Sequence, residues 1–468
     1  MVSFSTSPSL SSLPEFSRIF THMYECRRQL LLTKRLSFIL LILLLIYSVY
    51  LISSNLSKLE VQRHHMKTVP QTLTTNQSKN KRNSNERRNN ISNPKRHLGK
   101  LVTNLFDDQA YVLKKKLDIN NLILFPFEED NPYADDRILA QMSYVPVQVV
   151  EARKSGKVQR KRIQFYHKSG PSLRNISICP VHECDIINGY SGLEKAHLVV
   201  FEGGTPVTES VRPKNQLWLI YRIESPKHSN FILLKDQINF TATYNVDATL
   251  VTPYYKYVSY EDVEPKDFNK LSKPYQDYAA GKTKMVAWFV SNCVTSSPRM
   301  KYAEVLSKYI QVDIYGECGT LHCERHDAEC FEMLRKDYKF YLSFENSICQ
   351  DYITEKFFLN ALNNLVIPIA MGAKKSDYLR VAPLNSFIHV DDFNSIKQLA
   401  DYLHYLNRNT SAYNEYFSWH GQGTFNFNTY TDCRLCMLAH EAENLQGTHW
   451  YTNVDEWSKN SCRDRSYT

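Results

Sequence analysis

No Gly-x-Gly-x-x-Gly, Walker-type phosphate loop, His-Glu-x-x-His or Gly-x-Ser-x-Gly occurs in this chain of 468 residues. Their absence removes the usual signatures of dinucleotide binding, phosphate-loop NTPases, zinc proteases and serine hydrolases. Nor is there an Asp-x-Asp triplet to hold a metal against a nucleotide diphosphate. A bound diphosphate would therefore have to meet Arg, Lys and backbone amides. Long apolar runs are scarce as well. The one of membrane length is residues 36–52, LSFILLILLLIYSVYLI, uncharged and near the lower limit for crossing a bilayer.

That run reads as an uncleaved signal anchor: it is not amphipathic like a core helix, and no small-residue cleavage site follows it. Arg27, Arg28, Lys34 and Arg35 crowd its N-terminal flank, so the positive-inside rule leaves residues 1–35 as a cytosolic tail and puts the rest in a lumen or outside the cell. Residues 53–104 have few large apolar side chains and many Asn, Lys, Arg and Ser. Such a segment cannot bury enough surface to offset its ordering entropy and reads as a solvated stem. A basic run can also read as a nucleic-acid tail, but behind an anchor the stem is preferred and no nucleic-acid partner is expected. The net charge of +9 is inflated by this segment and says little about a substrate.

Asn55, Asn76, Asn90, Asn175, Asn239 and Asn409 each open an Asn-x-Ser/Thr sequon, the glycosylation acceptor of the secretory pathway. Of 11 cysteines only Cys26 precedes the anchor. The even set beyond it, Cys179, Cys184, Cys293, Cys318, Cys323, Cys330, Cys349, Cys433, Cys436 and Cys462, suits disulfides in an oxidising compartment, with the pairing open. Cys433-x-x-Cys436 could instead be half of a zinc site or a redox pair, but no second pair at zinc spacing accompanies it.

Beyond the stem, strand-length apolar runs alternate with helical periodicity, which predicts an α/β architecture. KMVAWFVSN (284–292), RMKYAEVLSKYI (299–310) and VDIYG (312–316) form one strand–helix–strand unit. A second has the strand KFYLSF, a helix from about Asp351 to Leu362 and the strand LVIPIAMG. Repeated units of this kind impose parallel sheets, whose ligands bind beyond the carboxyl ends of the strands. Glu345, Asn346, Asp351, Glu355 and Lys356 fall at such a junction, and Arg299 opens the equivalent helix of the preceding unit after Ser291 and Asn292. Helix N-termini with an added Arg and Lys suit a diphosphate, while a carboxylate among them suits sugar hydroxyls. Charged helix starts are also common on plain surfaces, and pattern alone leaves both readings open. In the N-terminal half RIQFYH, HLVVFEG and QLWLIYRIES read as strands, the last leaving Glu224 at its carboxyl end before Pro226. Glu224 is a general-base candidate by position, though glutamates at strand ends are frequent.

FYLSFENSICQDYITEKFFLNAL (340–362), with VAWFVSNC, VDIYGECG, INFTATYNVDAT and PLNSFIHVDDF, resembles the α1,3-fucosyltransferases, lumenal type II Golgi enzymes that use GDP-fucose. The resemblance runs from about residue 162 to the C-terminus. It implies a GT-B fold, two Rossmann-like domains facing a cleft: an N-terminal acceptor-side domain at 105–280, a GDP-fucose-binding domain at 281–432 and a cysteine-containing segment at 433–468. It further implies that Arg299 and Lys356 meet the GDP phosphates and that Glu355 meets the ribose or fucose. Ser291, Asn292, Tyr315, Glu345, Asn346 and Tyr352 would complete the donor pocket, with Glu224 as the base of an inverting transfer. No cofactor or metal is implied as required; a divalent cation is left as a stimulant without a site.

The chain departs from the family pattern at Tyr244-Asn245-Val246-Asp247-Ala248, where many members carry paired arginines, and it lacks the acceptor element of Lewis-type enzymes. Its CPVHEC, WHGQGTF, CRLC and HWYTNVDEW look more like the invertebrate enzymes that fucosylate the asparagine-linked GlcNAc of glycoproteins. The alternatives are a LacNAc or LacdiNAc acceptor within the same reaction, and, in another class, a non-catalytic membrane-anchored sugar-binding protein. Self-association through anchor and stem is a further expectation.

Overall fold

The structure is a computed structural model that describes residues 100–101, 121–128, 136–166, 176–202, 212–229, 236–259, 274, 276–324, 327–426, 428–445 and 451–465. The expected tail, the anchor at 36–52 and all of the stem but 100–101 lie outside these residues, as do Asn55, Asn76, Asn90 and Asn175. Among the described residues no helix is long and apolar enough to cross a membrane.

Two all-parallel sheets make the α/β frame. The first has β1 (Lys161–Tyr166), β2 (Cys184–Asn188), β3 (Leu198–Glu202), β4 (Leu217–Arg222), β5 (Phe240–Thr243) and β6 (Leu250–Val251), in the spatial order β2-β1-β3-β4-β5-β6. After β7 (Lys256–Ser259), the second has β8 (Lys284–Phe289), β9 (Val312–Tyr315), β10 (Tyr338–Phe344), β11 (Ile367–Met371) and β12 (Ile388–His389), in the order β9-β8-β10-β11-β12. In both, the order reverses between the first strand and the third. That is the topological switch point where an open parallel sheet leaves a crevice.

Why these runs become central strands is plain from their burial. Every residue of β10 and β11 is buried, as helices covering both faces require. The helix Ile396–Arg408 supplies part of that cover, with Ile396, Leu399, Ala400, Leu403 and Leu406 buried at helical spacing. Ser395 caps its start by accepting from Gln398 N at 3.2 Å.

Two features differ from the sequence reading. The helix expected from Asp351 begins only at Lys356, as a π-helix over Lys356–Ala361. Asp351 sits at φ 60°, in the left-handed region that ends rather than starts helices, and Asn346, Asp351 and Tyr352 spend their polar side chains on segments far along the chain. The cysteine-containing segment at 433–468, expected as a unit of its own, is built into the first sheet's core. The helix Thr431–Glu441 returns to the first sheet, where Leu435, Cys436 and Leu438 join the core of Ile163, Leu198 and Val200, and Val454 packs with Val199 and Ile220.

Candidate active site

The second sheet's switch point lies between β8 and β10. Glu345, the first residue after β10, is fully buried, and a buried carboxylate must be paired or neutral. Its Oε1 accepts from Thr354 N at 2.8 Å, and its Oε2 lies 3.0 Å from Lys356 Nζ. Lys356 also donates to Thr354 Oγ1 at 2.8 Å and to Glu355 Oε1 at 3.0 Å. Burial pushes the Glu345 carboxyl up. It also works against the Lys356 ammonium, but Glu345 and Glu355 outweigh it and hold that group above the ordinary lysine value. Glu355, against its burial, is held low by Lys356. With its side chain 42% exposed, Glu355 is the member of this cluster that can turn outward. Gly372 makes the packing possible, since a Cβ there would lie 2.8 Å from Glu345 Cγ.

Arg299 spans the switch point. It donates from Nη1 to the carbonyl of Phe344 at the end of β10 (3.2 Å) and from Nη2 to that of Asn292 beyond β8 (2.5 Å). Arg299 is 3% exposed, and its Nε is buried without a hydrogen-bond partner. Desolvation lowers its pKa. Arg299 is therefore a buried brace of the crevice as well as a cation beside it, not the surface charge that pattern alone allowed. Ser291 and Asn292 lie exposed on the loop between β8 and the helix Arg299–Leu306, and the Cys293–Cys318 disulfide ties that loop to the end of β9. Tyr315 does not join them. Its ring is buried with Leu334, Tyr338 and Tyr341 and its hydroxyl lies 2.7 Å from that of Tyr338. The expectation that it contacts a donor is corrected: as the last residue of β9 its side chain packs beneath the helix Ala328–Asp337, against Leu334.

Glu224, two residues past β4, reaches across from the first sheet. Its Oε1 accepts from Tyr352 Oη at 2.6 Å, from Ser225 N at 2.7 Å and from Asn346 Nδ2 at 3.3 Å. Ser225 Oγ and Ser347 Oγ meet at 2.6 Å beside it, and His228 Nε2 lies 3.2 Å from Asn346 O. The structure thus brings Glu224, Asn346 and Tyr352 together, with Glu345, Glu355 and Lys356 close behind.

Sequence reasoning missed Thr354, the shared partner of Glu345 and Lys356, and also Tyr254. Its ring lies 6.3 Å from that of Tyr352, and burial, then the charges of Glu224, Glu355 and Glu345, raise its phenol above the ordinary pKa. An open cavity of about 480 Å³ adjoins Ile223 and is lined by Ile178, Tyr221, Tyr254, Tyr255 and Thr431. A smaller one of about 150 Å³ touches Asp351, Asp377, Arg380, Lys256 and Asp136, which pair among themselves. Ile223, the residue before Glu224, lines the larger cavity, whereas paired charges line the smaller.

The ten cysteines form Cys179–Cys433, Cys184–Cys436, Cys293–Cys318, Cys323–Cys330 and Cys349–Cys462. Cys184, Cys436 and His440 lie close enough to hold a metal, but both sulfurs are spent on a disulfide, and metal ligation needs thiolate. Asn409 is half-buried at a helix boundary, its Oδ1 accepting from Ala412 N. Asn239 is corrected as a glycan acceptor: it is fully buried, with Oδ1 taken by Trp218 N and Arg212 Nη2, and an attached sugar would have no path to solvent.

Two family models match this chain: "Fucosyltransferase, N-terminal" over residues 158–255 and "Glycosyltransferase family 10 (fucosyltransferase) C-term" over residues 279–457. The chain is 43% identical over 358 residues to glycoprotein 3-alpha-L-fucosyltransferase A of Drosophila melanogaster, covering 74% of this chain and 69% of that protein. It is 35% identical over 319 residues to alpha-(1,3)-fucosyltransferase C of the same organism, covering 64% and 74%. A solved α1,3-fucosyltransferase with GDP aligns at 19% identity and a TM-score of 0.44, over 63% of this chain and 94% of that one.

Proposed function

The chain belongs to glycosyltransferase family 10, the fucosyltransferases, and on that premise we propose that it is an α1,3-fucosyltransferase moving L-fucose from GDP-β-L-fucose to the asparagine-linked GlcNAc of glycoprotein glycans. The observation that carries the reading is the contact of Glu224, at the end of one parallel sheet, with Asn346 and Tyr352 of the loop that runs from Glu345 to Glu355 and Lys356 at the switch point of the other. One sheet supplies a carboxylate and the other a crevice that carries Lys356 and Arg299, as a two-domain GT-B transferase requires.

The chemistry follows from those groups. Glu224 takes the proton of the acceptor hydroxyl while the oxygen attacks the anomeric carbon. The bond from that carbon to phosphate breaks on the opposite face, GDP leaves with the electron pair, and the configuration inverts. Lys356 and Arg299 face the charge that grows on the departing diphosphate, which fixed cations stabilise more in the transition state than in the ground state. When the diphosphate arrives, exposed Glu355 yields its place beside Lys356 and turns to a sugar or ribose hydroxyl. The acceptor lies along the cavity of Ile178, Tyr221, Ile223 and Tyr254, where tyrosine faces suit sugar rings. No required metal enters this scheme. The uncharged run at 36–52 and the disulfides support a type II Golgi membrane protein with its catalytic part in the lumen.

The test is transfer by the full chain, given GDP-fucose and EDTA, to a core N-glycopeptide and a LacNAc glycan side by side. Fucose is expected on the core GlcNAc, and Glu224→Gln is expected to lower the rate at least ~100-fold. Transfer to LacNAc alone would replace the acceptor while keeping the mechanism. GDP binding without transfer to either would favour the non-catalytic sugar-binding reading.

A further inference from the structure

Three donors converge on one oxygen of Glu224. Oε1 carries the bonds from Tyr352, Ser225 N and Asn346, while Oε2 accepts from none of the described residues. Hydrogen bonds to a carboxylate oxygen withdraw the charge that a proton would bind, so the loaded oxygen is the poorer acceptor of the two. Two of the three donors belong to the loop after β10, in the half opposite Glu224.

We propose that Tyr352 and Asn346 are positioning residues for the catalytic base, clamping Oε1 from across the cleft so that Oε2 receives the acceptor's proton. The inference rests on the reading of Glu224 as that base. It reassigns two residues that the family resemblance places beside the donor.

The clamp is built to hold its shape. Tyr352 is 1% exposed, and its ring packs at 5.0 Å from that of Tyr244 and 6.3 Å from that of Tyr254. Burial, followed by the charges of Glu345 and Glu224, keeps its phenol protonated and so a donor. The Ser225–Ser347 contact and the bonds of Ser297 N and His228 to the Asn346 carbonyl fix the loop that carries it. Tyr352, Tyr244 and Tyr254 are titratable groups facing Glu224; Glu345 and Glu355 also act on Tyr254, and Arg222 and Asp351 on Tyr244. Removing the Tyr352 hydroxyl takes away a hydrogen bond without altering any charge in that set.

The experiment compares the full-length wild type with Tyr352→Phe, Asn346→Ala and Glu224→Gln. It reads kcat, the KM for the acceptor and for GDP-fucose, and the affinity for GDP. Tyr352→Phe keeps the ring packing and is expected to lower kcat roughly 10- to 100-fold, with the KM for GDP-fucose and the affinity for GDP within about twofold of wild type. Asn346→Ala is expected to lower kcat by less with donor binding equally unmoved, and it carries the test if Tyr352→Phe does not fold. Weakened GDP or GDP-fucose binding in either variant would make these donor residues, and an unchanged kcat would mean that the clamp does not serve the base; either result overturns the proposal. Unimpaired transfer by Glu224→Gln would instead remove the base itself, a failure of the underlying reading that the other variants do not imitate.

Discussion

Lys356 lies 3.0 Å from a carboxylate with no exposure at all, and that asymmetry decides what each of the two residues does. A buried ion pair adds little net stability over an apolar pair, but removing one partner strands the other charge. Lys356→Met is therefore expected to destabilise the fold by about 3–5 kcal/mol, because Glu345 would remain buried with only Thr354 to bond it. Adding Glu345→Gln should restore much of that loss, and the coupling is measurable by thermal unfolding of the two single variants and the double. No restoration would mean that Lys356 does not serve to neutralise Glu345. The sequence showed these residue types crowded at a strand end and could propose a site. It could not show that Glu345 faces inward and Glu355 outward, because that depends on Gly372, just past β11, leaving room for the Glu345 side chain.

Between residue and fold, the loop at 345–355 is the element that joins the two sheets. Asp351 accepts from Val246 N at 3.0 Å and pairs with Arg380, while Asn245 Nδ2 donates to Gln350 O at 3.2 Å. Those contacts belong to the stretch where the chain departs from the family's paired arginines. Burial pushes the Asp351 carboxyl up to about 6, against the pull of Arg380. A folded pKa above the unfolded value means that the folded state binds the proton more tightly between about pH 4 and 6, so stability falls as pH rises through that window. Asp351→Asn keeps the side chain's shape and removes the charge. It is expected to be more stable than wild type at pH 7, by on the order of 2 kcal/mol, with the gap closing toward pH 4. A variant less stable at pH 7 would show that the Arg380 pair outweighs desolvation. Apolar periodicity located the strand before this loop and the buried Phe357 and Phe358 after it. It placed the helix start about five residues early, because helical spacing does not register a left-handed residue held by partners far along the chain.

For the whole molecule, the chain's end closes what its middle begins. The helix Thr431–Glu441 lies in the core of the first sheet, and two disulfides fasten it there across sequence separations of 254 and 252 residues. In the chain-entropy model a loop of that size is worth about 5 kcal/mol, with the second bridge, whose ends lie only a few residues from those of the first, adding less. A chain ended at residue 430 is expected to be insoluble or degraded although the donor-side sheet at 284–389 is intact. Cys433→Ser with Cys436→Ser is expected to lose several kcal/mol while still folding in the cold, as limited proteolysis and secreted yield would report. Recovery of a soluble, protease-resistant chain ending at 430 would refute this. The parallel α/β class, the even cysteine set, the strand-end carboxylates and the family resemblance were all legible in the amino-acid sequence, because periodicity, residue type and motif spacing are local properties. Cysteine pairing, the return of the C-terminal helix, the inward turn of Tyr315, the burial of Asn239 and the grip of Tyr352 on Glu224 were decided by tertiary structure alone. Each depends on which distant segments share one desolvated volume, and only the packed chain settles that.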